Sequence, residues 1–176
     1  MLEELIKRSG AIKFGDFLLR SGKRSHYYID KYMFETDPEA LKGIAEEIAK
    51  RIDPRDFDRV AGVELGGIPI AVAVSLKTGL KSLFIRKRQK EYGTANRIEG
   101  DFKSGMKILL VEDVVTTGGA LLEAVNIIEE AGGIVKKIFV VVDRMEGGVE
   151  KIRENYEVEV LTDVRSLGIS EETQKN

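Results

Sequence analysis

The chain has 176 residues, 43% of them hydrophobic and 33% charged, enough for one domain with a substantial core and too apolar for disorder. It contains no cysteine, which removes disulfides, thiolate metal sites and cysteine nucleophiles and suits a reducing, cytoplasmic setting. With 28 basic and 30 acidic residues the net charge is −2, so no global field attracts nucleic acid, and no apolar run approaches the roughly 18 residues of a membrane span.

The start, Met1-Leu2-Glu3-Glu4, carries acid where a signal peptide needs base. Leu2, Leu5 and Ile6 have helical spacing up to Gly10, which predicts a short helix with a glycine stop. From Ile12 to Ile29 the text is aromatic and short-period, with Ser21-Gly22 as turn punctuation, predicting two small paired strands. Asp37-Pro38 opens a helix by capping, with Leu41, Ile44, Ala45 and Ile48 as its apolar stripe and Asp53-Pro54 beyond its end. A repeating rhythm follows. β-rich runs at Val60–Val63, Leu83–Ile85, Ile108–Val111, Ile134–Val142 and Val158–Leu161 alternate with helical stretches near Ile68–Leu76, Ala120–Ala131 and Val149–Asn155. That alternation predicts a mostly parallel central sheet flanked by helices, one α/β domain over residues 1–176 with a small N-terminal addition over about 1–35. Residues 86–104 lack periodicity and read as a long mobile loop, and the tail from Ser170 reads as frayed.

The densest chemistry lies between a buried strand and a helix. Glu112, Asp113, Val114, Val115, Thr116, Thr117, Gly118, Gly119 and Ala120 put two acids, two hydroxyls and two glycines in one strand-to-helix turn. The glycines let backbone approach an anion at a helix N-terminus, and the threonines add hydroxyl donors, which together suit a phosphate. The acids suit vicinal ribose hydroxyls, directly or through hydrated Mg2+. The turn is neither GxGxxG nor GxxxxGK[ST], which argues against dinucleotide and ordinary NTP binding.

This string resembles the phosphoribosyl diphosphate loop of type I phosphoribosyltransferases, and further segments resemble the orotate phosphoribosyltransferases, from about Gly10 to Gly148. The segments are Gly10-Ala11-Ile12-Lys13-Phe14-Gly15-Asp16-Phe17 with Ser25-His26-Tyr27-Tyr28, Arg86 through Gly93, and Asp143-Arg144-Met145-Glu146. The resemblance implies a type I phosphoribosyltransferase fold with an N-terminal hood and Mg2+ carried mainly by phosphoribosyl diphosphate and water, without a dedicated protein metal site. It also implies a homodimer whose loops complete each other's sites. The implied reaction moves 5-phosphoribose from phosphoribosyl diphosphate to orotate.

By the same resemblance the diphosphate falls to Arg86, Lys87, Lys90 and Tyr92, to the turn from Glu112 to Ala120, and to Gly66 and Gly67 after the strand Val60–Val63. Lys90, Lys87, Arg86 and Asp113 take the catalytic positions. Orotate falls to Thr116, Arg144, Tyr28 and Arg20, with Arg20 where relatives carry lysine. Tyr92 stands where many relatives have histidine, and some carry lysine in place of Gly66. His26, the one histidine, reads as a local hydrogen-bonder. Two alternatives stay open: a purine phosphoribosyltransferase, which shares the turn but lacks the FGDF and SHYY segment, and a nonenzymatic regulator that senses phosphoribosyl diphosphate.

Overall fold

Both faces of the central strands are apolar because both are covered, and this sets the architecture. The computed structural model describes residues 2–18, 22, 24–87 and 97–169. Helix α1 (Leu2–Arg8) leads into an antiparallel pair, β1 (Ile12–Leu18) and β2 (Arg24–Ile29), followed by a short helix α2 (Lys31–Glu35) and then α3 (Pro38–Ala49). The remaining order is β3 (Arg59–Val63), α4 (Gly67–Thr78), β4 (Lys81–Ile85), β5 (Ile98–Glu99), β6 (Lys107–Val115), α5 (Gly119–Glu130), β7 (Ile134–Asp143), α6 (Gly148–Arg153) and β8 (Val158–Asp163). The six-stranded sheet runs β5-β4-β3-β6-β7-β8, with every pair parallel except β4 with β5.

Strand alternation divides the core in two. Leu109, Val111, Phe139 and Val141 face α1, α3 and α4, while Ile108, Leu110, Ile138 and Val140 face α5 and α6. The α3 start is as its sequence predicts: the Asp37 side chain accepts from the Ala40 N–H at 2.9 Å, with Pro38 in the first turn. Chain order produces the crevice. β3 connects outward through α4 to β4, whereas β6 connects the opposite way through α5 to β7, so the carboxyl ends of β3 and β6 diverge at a switch point, where open α/β sheets hold ligands.

Three elements differ from the sequence expectation. β6 runs to Val115 and not to Val111, because β7 continues beside it and pairs Glu112 with Val140, Val114 with Val142 and Val115 with Asp143. The acids are therefore inside a strand, where the sequence places them in the strand-to-helix turn. α2 lies where the predicted addition ends; five residues are too few for a helical period to register. In the predicted loop, Ile98 and Glu99 form β5 against Ile85 and Phe84, and the Arg86 N–H bonds the Arg97 carbonyl at 2.8 Å, so the expected loop does not extend past Arg97.

Candidate active site

Two turns meet at the switch point. The first follows β6: Gly118 has φ +78° and caps α5, whose first free N–H groups open onto the crevice. The second follows β7, where the Asp143 carboxylate accepts the Met145 N–H at 2.8 Å and fixes the turn carrying Arg144. Burial pushes the Asp143 carboxyl above its ordinary range. The turns are joined by backbone: Arg144 N–H donates to the Val115 carbonyl at 3.0 Å and Gly148 N–H to the Thr116 carbonyl at 3.0 Å. The fit there excludes side chains, since a Cβ on Gly148 would stand 2.3 Å from the Thr116 carbonyl oxygen and 2.6 Å from the Gly118 nitrogen. Gly147-Gly148 is absent from the residues that the sequence singles out, although paired glycines after a strand mark a close backbone approach.

Arg144 is held on two sides. Its Nη2 donates to the Tyr27 hydroxyl at 3.0 Å, its Cζ lies 5.3 Å from the Tyr27 ring centroid, and its Nε is 3.1 Å from Glu146 Oε1. Tyr27 is 4% exposed and belongs to β2, so the N-terminal strand pair reaches the β7 turn. Tyr28, the position that the resemblance favours, points the other way by strand alternation, 42% exposed, with its ring 5.7 Å from that of Phe17. The inward position of Tyr27 is readable in the sequence: Ser25, Tyr27 and Ile29 share one face of β2 and are buried, while His26 and Tyr28 share the exposed one.

Beneath the β6 end three carboxyl groups share one ammonium. Asp113 is 1% exposed, its Oδ2 is bonded to Lys31 Nζ at 2.5 Å, and its Oδ1 accepts the Val114 N–H. Glu35 Oε1 and Asp113 Oδ2 both crowd the Cα of Gly66, at 2.3 and 1.7 Å from where a Cβ would be, so the two oxygens lie within about 4 Å of each other. Glu35 Oε1 and Glu112 Oε2 are buried with no donor facing them, an arrangement that is stable only if protons sit between the carboxyls. Burial, then hydrogen bonding to Asp113 and its charge, push Glu35 up to about 8, and burial with the Asp113 charge raises Glu112 well above the usual range. Burial acts upward on Asp113 too, but hydrogen bonds from Glu35 and Glu112 and the Lys31 charge bring it below its ordinary value. The acidic pair is thus unequal: its surroundings favour the charged form of Asp113 and the protonated form of Glu112.

This arrangement makes stability depend on pH. Between the ordinary glutamate value of 4.5 and about 8 the folded protein keeps a Glu35 proton that the unfolded chain has released. The stability from that difference is present in full below about pH 4.5 and is lost as pH rises through 8. Glu35→Gln keeps the shape and a donor but cannot ionise, so its Tm minus that of the wild type should rise from pH 5 to 8. The slope is at most about 1.4 kcal/mol per pH unit, ~3–5 °C for a domain of this size. A difference that stays flat across that range in thermal melts would mean that Glu35 titrates normally.

The other residues singled out by the sequence surround these two turns. Thr116, Thr117, Gly119 and Ala120 form the turn and helix start, and Gly67 opens α4, so close to Val111 that a Cβ would stand 2.9 Å from its carbonyl oxygen. Arg86 Nη1 is 3.4 Å from Glu99, the Lys87 N–H donates to Glu64 Oε1 at 2.5 Å, and the Lys87 charge acts on Glu112. Lys90, Tyr92 and Arg20 lie outside the described residues. Among the described residues no group of three or more histidines and acids is arranged to hold a metal ion. Glu112 favours its protonated form and Asp113 is tied to Lys31, so a cation that arrives with a diphosphate and a water shell fits this site better than one caged by protein.

A glycine turn on a helix N-terminus, acids under it and a clamped guanidinium beside it define a site for a phosphorylated sugar and a planar anion. Residues 33–170 match the phosphoribosyl transferase domain family. The orotate phosphoribosyltransferase of Methanocaldococcus jannaschii is 52% identical over 167 residues, 94% of either chain. The crystal structure of Mycobacterium tuberculosis orotate phosphoribosyltransferase in complex with Fe(III) dicitrate gives a TM-score of 0.84 at 31% identity, covering 95% of this chain and 97% of that one. The same mycobacterial protein in complex with 5-phospho-alpha-D-ribosyl 1-diphosphate gives 0.77 at 29% identity, covering 95% and 96%. The chain belongs to the phosphoribosyl transferase family and, within it, to the orotate phosphoribosyltransferases.

Proposed function

We propose that this chain transfers 5-phosphoribose from phosphoribosyl diphosphate to orotate, giving orotidine 5′-phosphate and diphosphate, a step of pyrimidine nucleotide synthesis in the cytoplasm. The observation that carries the reading is the backbone linkage of Arg144 to Val115 and of Gly148 to Thr116, which holds a carboxylate-binding guanidinium against an anion-binding helix start. The relatives' names support orotate over a purine or a regulatory role.

The bond from ribose C1 to the diphosphate oxygen breaks with its electron pair leaving on diphosphate, and N1 of orotate, whose proton goes to solvent, forms the new bond to C1. Positive charge grows on the sugar and negative charge on the leaving group, so the protein's task is electrostatic and no nucleophile of its own is needed. The α5 N-terminal N–H groups with Thr116 and Thr117 bind the 5-phosphate, the Gly66-Gly67 backbone and Arg86, Lys87 and Lys90 take the diphosphate, and Asp113 lies buried beneath the ribose site. Arg144 grips the orotate carboxylate. Mg2+, when bound, neutralises diphosphate charge.

Orotate absorbance is expected to fall when protein, phosphoribosyl diphosphate and Mg2+ are combined, to stop falling with EDTA and to resume when Mg2+ is restored. Turnover of adenine or hypoxanthine in its place would overturn the base assignment and leave the sugar site standing.

A homodimer is part of the same proposal. α3 and α4 present an apolar groove of about 600 Å³ between Leu41, Ala45, Ile68, Val72 and Leu76, with Leu76 84% exposed. Lys42 and the Lys77–Glu46 ion pair border it, so the patch has no excess of one sign strong enough to repel a second copy. Leu76→Asp should shift the mass seen by light scattering from dimer to monomer with the Tm of the monomeric unit nearly unchanged, because the side chain is outside the core. A variant that stays dimeric would place the contact elsewhere.

A further inference from the structure

Helix α2 carries none of the sequence motifs, yet two of its five residues reach the floor of the site. Lys31 Nζ and the Glu35 carboxyl converge on the same oxygen of Asp113 from one side, and the Gly66 backbone presses on it from the other. Position 66 has no room for a side chain, since a Cβ would stand 1.7 Å from Asp113 Oδ2 and 2.3 Å from Glu35 Oε1. The cation that reaches this point comes from another element, Lys31 of α2. The Lys31 side chain is 31% exposed, so its ammonium lies at the boundary between the buried carboxyls and the crevice. Burial alone would lower its pKa, but Asp113, with Glu35 and Glu112 behind it, raises it, so the amine stays charged.

Without Lys31 the remaining charged neighbours of Asp113 in the cluster would all be acids, and Oδ2, the oxygen beside the Gly66-Gly67 turn, would lose its cationic partner while Oδ1 kept the Val114 N–H. Glu35 is 2% exposed with an oxygen that no donor meets, so it acts as a fixed wall that prevents Asp113 from swinging toward α2.

We propose that Lys31 is a positioning residue for the ribose-diphosphate site: it locks the Asp113 carboxylate beneath the Gly66-Gly67 turn, and Glu35 braces it from behind. The hood thereby sets affinity for the sugar diphosphate as well as for the base. The proposal rests on the reading of the sugar site given above but not on which base is used.

The test is calorimetric titration of phosphoribosyl diphosphate with Mg2+ into wild type, Lys31→Met and Lys31→Arg, together with thermal melts and steady-state kinetics. Lys31→Met is expected to weaken phosphoribosyl diphosphate binding about tenfold and raise its KM in parallel, with the orotate KM within twofold of wild type. Lys31→Arg is expected to recover most of the loss. Should the methionine variant not fold, Lys31→Gln removes the charge while keeping a donor and carries the same expectation. Unchanged diphosphate binding in a folded, charge-free variant would overturn the proposal, whatever its Tm, and so would equal losses for both substrates. If the wild type uses another base, the base assignment fails while the titration still reads Lys31; a wild type that binds no phosphoribosyl diphosphate sinks both.

Discussion

Arg144→Ala should raise the KM for orotate about a hundredfold while the KM for phosphoribosyl diphosphate moves little. A hydrogen-bonded charge pair in a partly desolvated site is worth ~2–3 kcal/mol, and each 1.4 kcal/mol is a factor of ten. The guanidinium is restrained by the Tyr27 hydroxyl on Nη2 and by Glu146 beside Nε, so it meets an incoming carboxylate with little further ordering to lose. The restraint also explains why Arg144→Lys should retain little of the affinity: a lysine ammonium has no planar fork to be held by Tyr27 or to match a carboxylate in two places. The measurement is steady-state velocity against orotate at saturating phosphoribosyl diphosphate. An unchanged orotate KM in the alanine variant would move the carboxylate grip away from the β7 turn.

Gly66→Ala is the second change expected to have a large effect. The added methyl would overlap Asp113 Oδ2 and Glu35 Oε1, and neither can withdraw freely because one is tied to Lys31 and the other is walled in by the core. Overpacking of this kind costs ~1–3 kcal/mol, about 5 °C in Tm for a domain of this size. The kinetic effect should be larger than the stability effect. The displaced groups are the Asp113 carboxylate and the turn that would hold diphosphate, and a displacement of about 1 Å in positioning groups can cost ~100-fold. We expect kcat/KM for phosphoribosyl diphosphate to fall by about two orders of magnitude, measured beside a thermal melt. A variant with near wild-type kinetics would mean that Asp113 has somewhere else to go.

The parts of the site that are legible in the sequence are those whose chemistry is local. The turn from Glu112 to Ala120 can be read because phosphate binding on a helix start needs glycines and hydroxyls at adjacent positions. The parallel sheet can be read because strands covered on both faces are continuously apolar, as Ile138 to Val142 is. What stays hidden depends on contacts between distant elements. Nothing local in Lys31 or Glu35 shows that α2 packs under β6, 82 residues from Lys31 to Asp113. The continuation of β6 past Val111 depends on a partner strand of matching length, and the acids read as part of the turn lie buried within that pairing. β5, at two residues, has no period to detect. Alternation along β2, visible in the sequence, places Tyr27 inward against Arg144 and leaves Tyr28 on the exposed face.

The two backbone bridges between the β6 and β7 turns turn the pair into a caliper. One jaw ends in the start of α5 and the other in the backbone of Arg144, and these two backbones are fixed to each other by main-chain bonds of 3.0 Å, with the guanidinium itself held by Tyr27 and Glu146. The two turns can therefore not move apart to suit a larger base without breaking these bonds. Only the third side of the space, formed by the β1–β2 pair through Tyr27, is carried on a separate two-stranded sheet. Substitutions that widen the range of bases should therefore arise in that strand pair before they arise in either turn.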